Sequence, residues 1–404
     1  MSSLDGSSDR SDANVDVGHG RKNEKHLQTR GYKKMSTSTV DIFYKVYSVE
    51  EKNSEDAVRI CCVPGMGARG DMWDPFVEYL KKTCTRCNIL VVDNRGSGQS
   101  SAHSSLWLGR YTTKIMAQDV LHLLDHLNWK NKIHLVGMSM GGMIAQEIAL
   151  SGLDRIESIS FVSTHAGGAM RIPEWGSFSG AIGIFRSMFN APQDAHARMR
   201  KLFTLLTGPK MQLNVPKFEA FLKTMSERHK KFGSSVHTKA GSVGQFMSVL
   251  THNTRARLHL IRDSHVRCLV FHGTHDKLIR PSNAKVLSDA LNCERVMLED
   301  VGHAPIYEKM EFMNERLRCH IFDEKSCNKD FQDNSKLGVT VYKTMHSDQP
   351  LHYSSAYTLF KQLFLILILA FLIFNFQMII QIVRGFKVNI ASDVGKSEGN
   401  YAEL

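Results

Sequence analysis

Short apolar runs alternate with amphipathic stretches along the first 165 residues. Residues 40–46, 57–63, 88–93, 133–136 and 158–163 read as strands. Between them, residues 71–82, 111–129 and 143–150 carry helical spacing, with Met116, Val120, Leu124 and Leu127 on one face of the second. Strand and helix in close alternation build a parallel sheet covered on both faces. The alternation stops near 166. Residues 170–257 give helical patterns at 178–189, 194–206, 218–231 and 243–250, and no good strand. The strand signal returns at 266–271, followed by a helix at 282–291, a strand at 295–298 and a helix at 305–321. The fold class is therefore α/β, a mostly parallel sheet interrupted by a helical insertion.

The ends of the chain differ from this pattern. Residues 1–38 are rich in Ser, Asp, Gly, Lys and Arg and are expected to be disordered. Residues 323–358 are polar and read as a linker. Twelve consecutive apolar residues follow at 363–374, and apolar character continues to Val383. As a helix, 363–383 would be about 31 Å long, close to the ~30 Å hydrocarbon core. The segment 359–384 is thus expected to span or anchor in a membrane. Asn375, Gln377 and Gln381 keep open a hairpin or interfacial anchor, as on a lipid droplet, and the flanking lysines and arginines leave its orientation open. The expected divisions are 39–165 and 258–322 for the two halves of the sheet, 166–257 for the insertion, and 385–404 for a polar tail.

Charge changes the picture by its location. The formal net charge is +11, and residues 170–257 hold 14 lysines and arginines against 4 acidic residues. No nucleic-acid motif accompanies this segment, so anionic lipid headgroups are the partner it suggests. A solvated basic helix face is the plainer alternative. The eight cysteines are scattered, mostly in apolar runs. The single C-x-x-C, Cys84 to Cys87, has no second pair or histidines near it, so no metal and no cofactor is expected. No apolar leader opens residues 1–35 and no N-x-S/T sequon occurs, which together suggest a cytosolic folded part; the expected membrane is that of the endoplasmic reticulum or a lipid droplet.

The chemistry gathers at Gly137-Met138-Ser139-Met140-Gly141, between an apolar strand and a helix. This is the pattern of a nucleophile elbow. The glycines permit a turn too tight for a β-carbon, and Ser139 stands at the N-terminus of a helix, where developing negative charge is favoured. A serine hydroxyl needs a base, and the base needs an acid to orient it. For an elbow serine these follow in the order acid, then histidine, in loops after late strands. Asp276 lies in the loop after 266–271, and His303 in the loop after 295–298, 27 residues on and directly after a glycine. Asp263 and Asp300 are the reserve acids; His272 and His275 flank the acid without an assigned role. The backbone N–H groups of Met140 and of Met66, in the turn Pro64-Gly65-Met66-Gly67, are the candidates for stabilising an oxyanion.

These features, with Asp93-Asn94-Arg95-Gly96-Ser97-Gly98-Gln99-Ser100, resemble the α/β-hydrolase family in their order from about Val40 to Ile321. The resemblance implies an eight-stranded, mostly parallel sheet with a helical cap over the serine, matched by 166–257, and a structural role for the Asp93–Ser100 loop. Pro64 and Met138 stand where many members have histidine. Relatives that open epoxides or remove halogen use Asp at the elbow, so Ser139 implies ester, thioester or amide hydrolysis. Apolar cap residues such as Phe178, Ile182, Phe203 and Phe221 offer surface for an acyl chain. The reading is a membrane-anchored serine esterase or lipase acting on acyl esters. Acyl transfer to an alcohol and a non-catalytic scaffold are the alternatives; no histidine carries Asp five residues on, as the acyl-transfer motif of some lipid-acting relatives requires.

Overall fold

The computed structural model describes residues 26–34, 40–49, 57–102, 111–167, 183, 194–231, 239–324 and 338–343. All lie in Met1–Ser347, the first of two units into which the chain divides. The strands are β1 (His26–Lys34), β2 (Asp41–Val49), β3 (Val58–Val63), β4 (Cys87–Val92), β5 (Ile133–Met138), β6 (Ile156–Val162), β7 (Arg267–Gly273), β8 (Glu294–Leu298) and β9 (Val339–Tyr342). They form one sheet in the order β1-β2-β4-β3-β5-β6-β7-β8-β9. The run from β4 to β8 is parallel; β2 joins β4, and β9 joins β8, antiparallel. Every residue of β4 and of β5 is buried. Their runs, apolar apart from Asn88 and His134, suit strands covered on both faces.

The helices of the sheet layers are α1 (Asp74–Thr83), α2 (Thr113–His126) and α3 (Met140–Ser151). Four more occupy the insertion: α4 (Ala195–Leu206), α5 (Pro209–Leu213), α6 (Val215–Lys231) and α7 (Lys239–Thr251). The chain returns through α8 (Leu258–Arg262), α9 (Ser282–Leu291), α10 (Pro305–Glu308) and α11 (Met310–Phe322). Local chemistry sets several of these starts. Thr112 accepts the Ile115 N–H at the head of α2, and Asp194 accepts the Ala197 N–H at the head of α4. Met116, Val120 and Leu124 of α2 are buried, as their spacing predicts, whereas Leu127, placed on the same face, is the half-buried C-cap.

Three expectations are corrected. Residues 26–34, assigned to a disordered N-terminal segment, form β1, paired along its whole length with β2 from His26↔Val49 to Lys34↔Asp41. Its polar composition hid it, because an edge strand is held by backbone hydrogen bonds and tolerates lysines. Residues 339–342, assigned to the linker 323–358, form β9 on the other edge, with Val339 buried. The helix expected over 305–321 is two, because Lys309 leaves helical geometry at φ −126°, ψ 43°. The sheet has nine strands among the described residues where the family resemblance implies eight. The helix expected at 178–189 lies outside the described residues, apart from residue 183. The segment 359–384, expected to span or anchor in a membrane, also lies outside them. Among the described residues no helix is long and apolar enough to cross a membrane.

The cap is fastened to the sheet layer on several sides. Arg228 of α6 pairs with Asp74 at 2.6 Å and donates to Asp71 O. Where the insertion leaves and rejoins the sheet, Gly167 bridges to Asn253 and Thr254 N–H donates to Ala166 O. Arg257 then pairs with the buried Glu147 of α3 at 2.6 Å.

Packing under α3 is close at backbone level. A β-carbon on Gly141 would stand 2.1 Å from Val63 O of β3, and one on Gly137 would stand 2.5 Å from Gly141 O. Gly141→Ala is therefore expected to cost about 3 kcal/mol or more, read as a lower urea midpoint. The control Gly152→Ala, whose β-carbon would meet only side-chain atoms of Arg155 and Leu121 at 3.3 Å or more, should stay near wild type.

Candidate active site

Ser139 sits between β5 and α3 at φ 55°, ψ −122°. This region is strained for a residue with a side chain and persists only where surroundings enforce it. The enforcement is visible. The Ser139 N–H donates to Val162 O, while its carbonyl accepts from the N–H groups of Gly142 and Met143 and from the Thr164 hydroxyl at 2.7 Å. The turn after β3 lies directly against the serine: a β-carbon on Gly65 would stand 3.3 Å from Ser139 Cβ and 3.8 Å from its Oγ.

Asp276 and His303 meet at the same C-terminal edge of the sheet. The loop after β7 carries Asp276 and the loop after β8 carries His303. The two loops are joined by His275 N–H to Val301 O, 2.9 Å. His303 Nδ1–H donates to Asp276 Oδ2 at 2.7 Å, with both side chains buried. In the neutral ring this bond fixes the tautomer, with the proton on Nδ1 and the lone pair on Nε2. The other Asp276 oxygen accepts from the N–H groups of Leu278 and Ile279 at 2.8 and 3.0 Å. Burial works to raise the Asp276 pKa, but His303 and His272 outweigh it and hold the carboxyl well below the usual range. No hydrogen bond joins Ser139 Oγ to His303 in this arrangement. Such bonds are often long without substrate and tighten when it binds.

The reserve acids play no part here. Asp263 is exposed and pairs with Arg262, and Asp300 is exposed, 3.8 Å from His275. His272 is the unexpected member. It is wholly buried, and its Nε2 lies 3.0 Å from Asp276 Oδ2 and 3.1 Å from Ile279 O. Both neighbours are acceptors, so Nε2 carries the proton and His272 donates to the acid.

Of the two amides expected to stabilise an oxyanion, Met140 directly follows the serine, and Met66 follows Gly65, which lies against it. Met140 opens α3, whose first N–H groups have no partner within the helix. The Met66 N–H has no partner among the described residues. The turn around Met66 is held from two sides. Asn94 Nδ2 donates to Pro64 O at 2.9 Å, and Ser97 Oγ donates to Ala68 O, so the Asp93–Ser100 loop acts structurally. From the cap, Gln245 of α7 accepts the Gly67 N–H at 2.8 Å and donates to Arg95 O at 2.8 Å. Ser248, one turn later on α7, lies 3.5 Å from Met140 Sδ. The cap also reaches the His303 loop. Ala304 N–H donates to Leu206 O, and Glu308 accepts both the Gly302 and the Gly208 N–H at 2.8 Å. Neither Gln245 nor Glu308 was legible in the sequence, since each acts on residues remote along the chain.

No group of three or more His, Cys, Asp or Glu residues arranged to hold a metal occurs among the described residues. The seven described cysteines are free, with Cys61, Cys62, Cys87 and Cys319 buried.

Fold, elbow and paired Asp276–His303 together define a class. The chain belongs to the α/β-hydrolase fold family, whose model matches residues 58–310. It is 32% identical over 122 residues to 3-oxoadipate enol-lactonase 1 of Acinetobacter baylyi, covering 30% of this chain and 42% of that one. It thus spans less than half the length of that relative. It is 22% identical over 250 residues to Lipase 1 of Psychrobacter immobilis, covering 62% of this chain and 72% of the lipase. A thermophilic esterase from Thermogutta terrifontis superposes with a TM-score of 0.56 at 20% identity, over 73% of this chain and 98% of the esterase.

Two outcomes follow from the cap contacts. Gln245→Ala should lower the rate at which Ser139 reacts with a fluorophosphonate by about tenfold or more, because the Met66 turn loses its cap-side anchor. A stopped-time labelling series measures this. Burial raises Glu308 to about 7 from 4.5, against the pull of its two N–H donors. A raised carboxyl stabilises the fold fully below its unfolded pKa, and that contribution is lost as pH rises through about 7. Glu308→Gln, neutral throughout, should therefore gain stability on wild type as pH rises from about 5 to 8, at up to about 1.4 kcal/mol per pH unit. Urea unfolding across that range checks the sign.

Proposed function

We propose that this chain is a serine hydrolase that cleaves acyl esters through a covalent acyl-enzyme. Ser139 is the nucleophile, His303 the base and Asp276 the residue that orients and charges the pair. In the first step His303 Nε2 takes the Ser139 proton as Oγ attacks the ester carbonyl. The oxyanion forms against the N–H groups of Met66 and Met140 at the head of α3. The imidazolium, stabilised by ionised Asp276, returns the proton to the departing alkoxide. Water then gives a proton to His303 as its oxygen attacks the acyl carbon, and His303 returns that proton to Ser139 Oγ as the acid leaves.

The observation that carries this reading is the ionised, buried Asp276 bonded at 2.7 Å to His303 Nδ1, on the edge where the strained Ser139 turn emerges. A histidine so held serves a proton transfer better than it serves packing. The names of the relatives, enol-lactonase, esterase and lipase, support an ester substrate. The apolar run at 363–374 supports a reaction held at a membrane, with lipid esters as the substrate class.

A fluorophosphonate probe tests the reading. The full-length protein should label, Ser139→Ala should not, and Asp276→Asn should label about a thousandfold more slowly. Labelling that persists in Ser139→Ala would remove the nucleophile. In a series of p-nitrophenyl esters, kcat/KM should rise with chain length; a preference for acetate would leave an esterase and remove the lipid substrate.

A further inference from the structure

The end of the cap beside His303 presents apolar side chains that the core does not use. Met211, Phe218 and Leu222 of α5 and α6 face inward and pack with Met199 and Phe203. Leu213 and Val215, at the junction of the same two helices, face outward and are 81% and 58% exposed. They are the most exposed large apolar residues among those described. Met310, another of the five exposed large apolar side chains, begins α11. Its segment is pinned beside α5. Glu308 binds the Gly208 N–H, and the Tyr307 ring meets those of Phe203 and Phe221 at 5.7 and 5.6 Å.

Lysines frame these residues. Lys210 and Lys217 flank Leu213 and Val215 along the chain, both exposed, and Lys309 precedes Met310. The three are close enough to interact: after burial, Lys210 and Lys217 are the main causes that lower Lys309, opposed by Glu308 and Asp300. Glu219, the acidic side chain on this stretch of α6, is engaged by Arg200 and His196. Protruding apolar tips beside three lysines, which outnumber the exposed Asp300 and Glu311, fit an anionic bilayer, where ammonium groups meet headgroups and the tips enter the acyl layer.

We propose that Leu213, Val215 and Met310, with Lys210, Lys217 and Lys309, dock this end of the cap on the anionic surface of a lipid bilayer. Two observations favour a bilayer over a protein partner. Three protruding side chains fall far short of the roughly 800 Å² that a partner protein would bury on this side. The same chain also carries the twelve-residue apolar run at 363–374. The tip adjoins the site, because Leu206 O and Glu308 grip the residues on either side of His303. Docking there sets the His303 side of the cap against lipid. This consequence rests on the ester-hydrolase reading; the docking does not.

The test uses full-length protein in phosphatidylcholine vesicles with and without phosphatidylserine. In Leu213→Trp, brominated acyl chains should quench an added tryptophan signal when phosphatidylserine is present. Adding Lys210→Glu and Lys217→Glu should abolish that quenching. A second arm compares hydrolysis of a vesicle-borne ester with that of a soluble short ester. Leu213→Ser with Val215→Ser should slow the first about tenfold and leave the second unchanged. Unquenched Leu213→Trp overturns the proposal, as does quenching indifferent to lipid charge. Quenching without Ser139-dependent hydrolysis upholds docking and removes the ester reading. Hydrolysis without quenching does the reverse.

Discussion

The close approach of α3 to the ends of β3 and β5 governs this molecule. Gly141 and Gly137 allow helix and strands to touch at backbone distance, and that contact leaves the connecting residue no ordinary conformation. Ser139 takes φ 55° as a result, with its carbonyl held by two amides and Thr164. The strain is local and the support comes from three elements. One geometric requirement thereby sets the direction of the serine, the position of the α3 N-terminus and the nearness of the Met66 turn.

Two buried carboxylates near this point show how environment separates roles. Asp276 and Glu308 each accept two backbone N–H groups. Burial opposes the charge of both. Asp276 also faces two imidazoles and is held well below the usual range, while Glu308 has no such partners, feels the charge of Asp276, and rises to about 7. The histidines therefore decide the outcome. Asp276 stays charged against His303, whereas Glu308 titrates near neutrality at the joint between cap and His303 loop.

The cap is a working part of this arrangement. Through Gln245 it holds the turn that carries Met66, and through Leu206 and Gly208 it holds the residues around His303. Motion of α4 or α7 would reach both halves of the site through single hydrogen bonds. A cap attached in this way couples what its outer surface touches to the geometry around Ser139.

Local pattern was enough for much of this. Apolar runs at β4 and β5 and the spacing of Met116, Val120 and Leu124 announce buried strands and an amphipathic helix, because burial acts on neighbouring residues. The elbow is legible for the same reason, since its steric rule is contained in five residues. From Ser139, the order of the late loops led to Asp276 and His303, which the fold then brings to 2.7 Å. The strands β1 and β9 were illegible because open sheet edges, rather than their own side chains, recruit them. His272, Gln245 and Glu308 were illegible because their partners converge only on folding. Short-range sterics and periodic burial thus settled the class of fold and marked the elbow in the sequence. Long-range hydrogen bonds, which exist only once the loops and the cap have met, settled the support of the site and the charge of its acid.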